Sequence, residues 1–488
     1  MDTSNTGFLR SIPGFGGPAS GSSDLSPRDK RILAQAEKTL ASFDALEEWA
    51  DYIAFLARLK KSLALPAETA HSVQWLPLPE QVSAKLALCL SPQLPNGVHR
   101  KALELYEAVF DSLTIDTLNS QISVWLPGIL PVVSFGSMQV KPQVLSLYEN
   151  NLLLHLTPST LKEITGPLLL ALLPGLEDEN SEVFADVMKL LDSFKQKLGN
   201  NPHFWSSLFA CILTSPEKRL GALNWCTARL PVFAMIGSDR EARFSAEAQA
   251  CLSSEPGLLV RAFAAALNTR SSFNQANDII VMRGFFDLLL SHIPLNSPVI
   301  TTVISSTDKQ LLIMACCRVT LKKDMSLNRR LWKWLLGPDA GEETVKSEDR
   351  KAYFASHALP AIDRGLKALI ASNNLQRKLD AYNISLAMIM DRWEISQLIT
   401  SSLFVPIIES CCDASRNAES SAPELLAAGK RFFDQVETFH IWNYLTCDLL
   451  LHSEKGINLK IIDFLLRNFE FPEDETNFHV PMAILVFS

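Results

Sequence analysis

Residues 78–113 read LPEQVSAKLALCLSPQLPNGVHRKALELYEAVFDSL and predict two helices joined by a tight turn. Apolar residues recur at the i, i+3, i+4 spacing of one helix face over residues 86–90 and again over residues 103–113. Between these stretches, residues 91–97 contain two prolines and an Asn-Gly pair, which end one helix and allow the next to begin. The segment therefore predicts a helix–turn–helix pair.

The same succession of amphipathic helix, short breaker and amphipathic helix recurs along the rest of the sequence. A single helix of this kind cannot bury its apolar stripe, so each one needs neighbours on both sides. Leu and Ala are abundant, whereas the alternating Val, Ile and Thr that predict strands are scarce. We therefore expect an all-α fold, an α-solenoid of HEAT- or armadillo-like helical repeats with roughly twenty helices.

The 488 residues divide into four predicted parts. Residues 1–26, rich in Gly, Ser and Pro, are expected to form a disordered tail or to carry a short linear motif. The solenoid then occupies residues 27–336, and an exposed acidic loop follows over residues 337–349. Helical repeats continue over residues 350–488, where the apolar end predicts that the chain is truncated and that a further repeat would cover it.

Composition narrows the class of protein. Hydrophobic residues make up 47% of the chain and charged residues 20%, which argues for a large core and against general disorder. The net charge is −8, and nucleic-acid-binding proteins usually carry a basic domain, so we expect no nucleic-acid partner. Nine scattered cysteines without a CxxC pair indicate buried free thiols in a reducing compartment. Without a long uninterrupted apolar run or a signal peptide, we expect a cytoplasmic protein that has no transmembrane helix.

Motifs of known catalytic, metal and nucleotide sites are absent from the sequence. The HExxH, GxSxG, GxGxxG and GxxxxGK[ST] patterns do not occur, and the histidines and cysteines lack zinc spacing. We therefore expect no enzyme activity, no metal and no cofactor. An unrecognised hydrolase or transferase stays open if a carboxylate lies beside His155 or His203.

Pairs of cations at helix ends are the candidate residues for a lipid-binding or partner-binding surface. These candidates are Lys60, Lys61, His99, Arg100, Lys101, Lys322, Lys323, Arg329 and Arg330. The three in the middle follow Asn96-Gly97 at a predicted helix start, where free backbone N–H groups favour phosphate. Each group also has a plainer explanation, since cations complement a helix C-terminus, a first turn is solvated, and Ser326 caps a helix whose arginines face water.

Five tryptophans lie among apolar residues: Trp225, Trp332, Trp334, Trp393 and Trp442. In helical repeats such residues usually wedge helices together, so we expect them in the core. An exposed one would be a candidate hot spot for a partner.

Seven blocks carry a family resemblance. They are EWADYIAFL (48–56), LPNGVHRKAL (94–103), LPG (126–128), FGS (135–137), LPGLEDE (173–179), RGFFDLL (283–289) and DMSLNRRLW (324–332). Together they resemble the N-terminal region of the Dopey family, whose members are much longer than this chain. The blocks span most of residues 28–340, none is a catalytic motif, and little resemblance is visible beyond residue 345.

The resemblance implies a peripheral protein of Golgi and endosomal membranes that acts in traffic between these compartments. It implies two partners, a large protein related to Arf guanine-nucleotide exchange factors and an aminophospholipid flippase. It also implies contact with membranes that contain phosphatidylinositol 4-phosphate and with kinesin light chain. We therefore expect a non-enzymatic scaffold or adaptor in endosome-to-Golgi traffic. The alternative is a cargo or motor adaptor, linked to kinesin, without direct lipid binding.

Overall fold

The fold is all-α, as predicted. The computed structural model describes residues 26–66, 71–236, 243–253, 255–268, 275–337, 347–417, 421–437, 441, 458–471, 477–478 and 481. Over these residues it contains 22 α-helices, which agrees with the expected number of roughly twenty and with the α-solenoid class. Residues 1–25 of the tail predicted over residues 1–26, and most of the C-terminal end, lie outside the described residues. Ser26, the last residue of the predicted tail, belongs to the fold as the cap of the first helix.

The first of two compact units covers Met1–Leu156. Its described helices are α1 (Pro27–Ala41), α2 (Trp49–Ser62), α3 (Pro79–Cys89), α4 (Asn96–Ser112), α5 (Ile115–Ile129), α6 (Val132–Phe135) and α7 (Lys141–Leu147). The Ser26 hydroxyl accepts a hydrogen bond from the Asp29 backbone N–H and so caps α1, with Pro27 in the first turn. Helix α2 packs on α4, α3 on α5 and α4 on α7, so apolar stripes meet between helices.

The second unit covers Thr157–Ser488. Its first helices are α8 (Pro158–Leu172), α9 (Phe184–Leu198), α10 (Asn201–Thr214), α11 (Arg219–Arg229), α12 (Ala246–Leu252), α13 (Pro256–Leu267), α14 (Gln275–His292) and α15 (Ser306–Cys317). They are followed by α16 (Met325–Leu335), α17 (Ser347–His357), α18 (Leu359–Ile370), α19 (Leu375–Asp391), α20 (Trp393–Arg416), α21 (Ala422–Phe433) and α22 (Asn458–Asn468). Two short antiparallel strands, β1 (Met235–Ile236) and β2 (Arg243–Phe244), lie between α11 and α12.

Helices of the second unit pack in two rows. In the first row, α8, α10, α13, α15, α18 and α20 each contact the next helix named. In the second row, α11 contacts α14 and α14 contacts α16, while α19 contacts the 3₁₀ helix Arg318–Lys322 that precedes α16. Contacts between α13 and α14 and between α18 and α19 join the rows. Stacking of two-helix units in this way is the architecture of helical-repeat proteins.

Hydrogen bonds between repeats reveal a structural period. The Ser83 hydroxyl donates to the Val124 carbonyl at 2.6 Å, and the Trp334 indole N–H donates to the Ile293 carbonyl at 3.0 Å. In both pairs the two residues are 41 positions apart. This period matches repeats of about 40 residues, although the sequence shows no visible repeat, because what recurs is the packing position and not the residue type.

The acidic loop predicted over residues 337–349 ends before residue 347 and not at residue 349. Its last three residues belong to α17, where Glu348 and Asp349 in the first turn favour the positive end of the helix dipole. Residues 338–346 lie outside the described part of the chain. The compact units divide after Leu156 and not at this loop.

Among the residues that the structure describes, two helical segments are long and apolar enough, by length and composition alone, to cross a bilayer. They are Ile115–Phe135 and Trp393–Arg416. Their apolar windows are 44% and 50% buried, and the buried parts pack on helices such as α3 and α19. They meet this criterion because neutral polar residues interrupt the apolar runs without making the helices polar. The prediction that the chain has no transmembrane helix stays a prediction.

The described cysteines are core residues. Eight of the nine lie in the described part of the chain, and all eight are buried free thiols, as predicted. Burial raises the pKa of Cys89, Cys211 and Cys226 to about 12, since a low dielectric disfavours the thiolate. These thiols therefore behave as small apolar side chains.

Candidate functional site

The candidate cations of the first unit do not meet at one point. Lys60 and Lys61 are exposed in the last turn of α2, whereas Arg100 and Lys101 are exposed near the start of α4. The start of α4 lies against the first half of α2, because a Cβ atom on Gly97 would be 3.9 Å from the Ile53 Cδ1 atom. About two helical turns, or roughly 10 Å, separate that contact from the lysines.

His99 does not belong to an exposed surface. Its side chain is buried, its Nε2 atom lies 2.8 Å from the Ser91 carbonyl, and its ring packs edge-on against Phe135. The imidazole therefore fastens the turn before α4 to the helix. Lys101 forms an ion pair with Glu104 at 2.6 Å, which leaves Arg100 as the more available cation of this group.

The candidate cations of the second unit are better exposed. Lys322, Lys323 and Arg329 are exposed and form no ion pair with any described residue. Arg330 is committed, since its Nε and Nη2 atoms donate to the two carboxylate oxygens of Asp287 at 2.8 and 3.0 Å. We call Lys322, Lys323 and Arg329 the basic rim.

Two ion pairs fix α16 on α14. The pair between Arg330 and Asp287 is bidentate, and Arg283 Nη2 donates to Asp324 Oδ2 at 2.9 Å. Asp324 also accepts the Leu327 backbone N–H at 2.8 Å and so caps α16. That N–H and then the Arg283 guanidinium hold the pKa of Asp324 below its usual range.

The other side of α16 meets the junction of α19 and α20. Asp391 Oδ2 accepts hydrogen bonds from the Trp332 indole at 3.3 Å and from Asn328 Nδ2 at 3.5 Å. The Arg392 guanidinium lies over the Trp332 ring, 5.7 Å from its centroid. Met325 shares the helix face of Asn328 and Trp332, at the i, i+3, i+7 spacing. The start of α16 and the α19–α20 junction are therefore neighbours.

Three large apolar side chains project from these neighbouring helix ends. Met325, the first residue of α16, is 88% exposed, and Trp393, the first residue of α20, is 77% exposed. Met390, one residue before the end of α19, is 63% exposed. We call Met325, Met390 and Trp393 the apolar corner. It lies next to the basic rim, because Lys322 and Lys323 precede Met325 by three and two positions.

The prediction that the tryptophans lie in the core is confirmed for three of them. Trp225, Trp332 and Trp334 are buried, but Trp393 is exposed, and Trp442 lies outside the described residues. Sequence reasoning missed Trp393 and both methionines because apolar neighbours in the sequence do not show which helix end lacks a covering helix. The exposure of Trp393 makes it a candidate hot spot.

A cavity of about 360 Å³ opens between α11 and α14. Leu223, Ile280 and Leu288 supply apolar walls, and Ser291 and His292 lie at one end. Burial lowers the pKa of His292, so the imidazole is neutral at neutral pH. Sequence reasoning assigned no role to these residues.

The histidines considered for catalysis have other neighbours. His203 Nε2 lies 3.0 Å from the Lys162 carbonyl, and its backbone N–H binds the Asn200 side chain that caps α10. His155 packs against the ring of His71, with 4.5 Å between the ring centroids. In the described part of the chain, no three His, Cys, Asp or Glu side chains converge to hold a metal ion.

Comparison with known proteins now adds the family. The model of the N-terminal domain of Dopey matches residues 26–340, and the model of the DOP1 middle TPR domain matches residues 353–488. The chain belongs to the Dopey family. The second match corrects the expectation that little family resemblance exists beyond residue 345. The Dopey family is not a known enzyme family.

Two fungal members of the Dopey family match nearly the whole chain, and a mouse member matches about three quarters of it. Protein DOP1 of Saccharomyces cerevisiae is 36% identical over 96% of this chain, and Protein dop1 of Emericella nidulans is 32% identical over 97%. Protein DOP1B of Mus musculus is 30% identical over 77% of the chain. The chain spans 29% of the length of each fungal protein and 16% of the mouse protein.

Proposed function

We propose that this chain is part of a non-enzymatic scaffold or adaptor in endosome-to-Golgi membrane traffic. Membership of the Dopey family is the observation that carries the proposal. The two rows of helices support it, since helical repeats present long surfaces on which other proteins dock. The protein works from the cytoplasm, as a peripheral protein of Golgi and endosomal membranes.

Two partners follow from this proposal. One is the large protein related to Arf guanine-nucleotide exchange factors, and the other is the aminophospholipid flippase. Each would contact exposed side chains of the helical repeats, so that the scaffold holds a transport complex together without chemistry of its own. Substitutions on such a surface should weaken partner binding without lowering the stability of the fold, because exposed residues contribute little to folding.

Co-precipitation of the full-length protein with each partner tests the scaffold. We would replace exposed residues one face at a time, for example Arg329→Glu with Lys333→Glu on α16, and Arg100→Glu with Lys101→Glu on α4. Substitutions on one face should abolish co-precipitation of a partner while the melting temperature stays unchanged. If the substitutions on every face left both partners bound, the scaffold would be wrong.

Direct membrane contact is a second candidate function, and the basic rim favours it. Lys322, Lys323 and Arg329 are exposed cations that form no ion pair with a described acid. Each cation held close to an anionic bilayer contributes about 1 kcal/mol. The expected ligand is a membrane that contains phosphatidylinositol 4-phosphate.

Flotation of the purified chain with liposomes tests membrane contact. The chain should float with liposomes that contain phosphatidylinositol 4-phosphate and not with neutral ones, and flotation should weaken as salt rises. Equal flotation with both kinds would exclude recognition of this lipid. Capture of kinesin light chain by a chain that does not float would favour the motor adaptor instead.

A further inference from the structure

The apolar corner is the most exposed group of large apolar side chains that the described contacts bring together. Met325 and Trp393 are 88% and 77% exposed. An exposed apolar side chain is ordinary when it stands alone, but neighbouring ones mark an interaction surface. The apolar corner is therefore a candidate interaction surface, and its shape and charge indicate what kind of partner binds there.

The shape of the corner suits a soft surface. Two of its residues are the first residues of α16 and α20, and the third lies one residue before the end of α19, so each stands at a helix end. Exposures of this size mean that the side chains project into solvent and do not line a groove. Peptides dock in grooves, whereas projecting apolar side chains can enter the boundary between lipid headgroups and acyl chains.

The charge and chemistry of the corner point to an anionic bilayer. The basic rim places three cations beside the apolar side chains. Tryptophan prefers the headgroup level of a bilayer, because its apolar ring can contact the acyl chains while its N–H group contacts water. Of the neighbouring carboxylates, Asp324 pairs with Arg283, whereas Asp391 accepts hydrogen bonds from two uncharged groups and keeps its negative charge. The three exposed cations of the basic rim outnumber that one carboxylate. The local charge that faces a membrane is therefore positive.

We propose that Met325, Met390 and Trp393 insert into an anionic bilayer while the basic rim binds the lipid headgroups. This inference rests on the membrane contact proposed above and assigns residues and depth to it. The first turns of α16 are joined to the end of α19 through the hydrogen bond from Asn328 to Asp391, so insertion requires no rearrangement. Binding then has two parts, one that salt weakens and one that it does not.

Vesicles of phosphatidylcholine, with and without phosphatidylserine, test the insertion. The triple variant M325S/M390S/W393A should bind the anionic vesicles at least about tenfold more weakly than the wild type, and its salt-resistant binding should disappear. Trp49→Ala is the matched control, because Trp49 is also the first residue of a helix and is 60% exposed. This variant should bind vesicles like the wild type.

Brominated lipids test the depth. Bromine atoms near the acyl boundary should quench part of the tryptophan fluorescence, and that part should vanish in Trp393→Phe but persist in Trp49→Phe. Circular dichroism melts of all variants should match the wild type, since every substitution is at an exposed position.

The outcomes separate the two proposals. If the wild type and the triple variant bind anionic vesicles equally, the membrane contact stands and insertion at the apolar corner is wrong. If the wild type binds no vesicle at any salt concentration, both proposals are wrong. If the triple variant keeps vesicle binding but loses a partner in co-precipitation, the corner is a protein-docking site and the insertion is overturned.

Discussion

The basic group at the start of α4 and the four cations around the start of α16, Lys322, Lys323, Arg329 and Arg330, look alike in the sequence but differ in their surroundings. In the first, His99 is buried against Ser91 and Lys101 is paired with Glu104. In the second, three cations are exposed beside the apolar corner, and the fourth, Arg330, fastens α16 to α14. Clustered cations in a sequence therefore do not define a binding surface. The neighbouring helices determine which cations are buried or paired within the fold and which stay available for binding.

Replacing Trp332, the buried tryptophan beside the apolar corner, should cause the largest loss of stability. Trp332→Ala deletes a buried indole and should cost about 3–5 kcal/mol of stability, because the cavity cannot refill. Trp393→Ala, on the same corner but exposed, should stay within about 0.5 kcal/mol of the wild type. Urea denaturation of both variants compares them, and equal losses of stability would show that the corner is part of the core.

The second-largest difference is expected in how much the ion pairs near the two basic groups stabilise the fold. Asp287→Ala leaves Arg330 without its bidentate partner and should cost about 1 kcal/mol, since the pair joins two helices. Glu104→Ala breaks an exposed pair within one helix turn and should cost about 0.3 kcal/mol. The denaturation midpoints report the difference, and a larger loss for Glu104→Ala would reverse this part of the comparison.

A smaller, pH-dependent effect is expected at Asp324. The folded-state pKa lies below the unfolded value of about 3.9, so the carboxylate stabilises the fold above about pH 4. This stabilisation is lost as the pH falls through the folded pKa. Asp324→Asn keeps a capping side chain but not the charge. The wild type should therefore be more stable than this variant near pH 7, by less than about 1 kcal/mol. Thermal melts between about pH 3 and pH 7 should show the gap narrowing, and a constant gap would contradict the assignment.

The smallest effect is expected where the first basic group is reversed in charge. Arg100→Glu with Lys101→Glu should change the affinity for anionic vesicles by less than about twofold, because these residues belong to the first unit, whereas the basic rim and the apolar corner belong to the second. Lys322→Glu with Lys323→Glu serves as the positive comparison and should weaken binding by about thirtyfold or more, because each lost cation removes about 1 kcal/mol. Vesicle co-sedimentation measures both. Equal losses would mean that net charge, and not the corner, governs binding.

Local chemistry predicted the helices well where one residue decides a boundary. Ser26 caps α1 and Pro27 occupies its first turn, as their sequence order indicates. Pro127 is a counterexample, since a proline predicts a helix end at Leu126, but α5 continues to Ile129. The helix continues because the Leu130 N–H bonds to the Leu126 carbonyl, which restores the i to i−4 pattern after the proline.

The sequence alone determined the all-α class, the helical-repeat architecture and the family, because apolar periodicity, turn residues and local motifs are features of the chain itself. The period of 41 residues came from hydrogen bonds of the folded structure. The tertiary structure decided which side chains are available. His99 became a core residue, Arg330 became an interhelix tie, and Trp393 was left exposed. The physical reason is that burial depends on the helix that packs opposite, about 40 residues away in a repeat of this kind. No local pattern in the chain records whether that neighbour covers a given side chain.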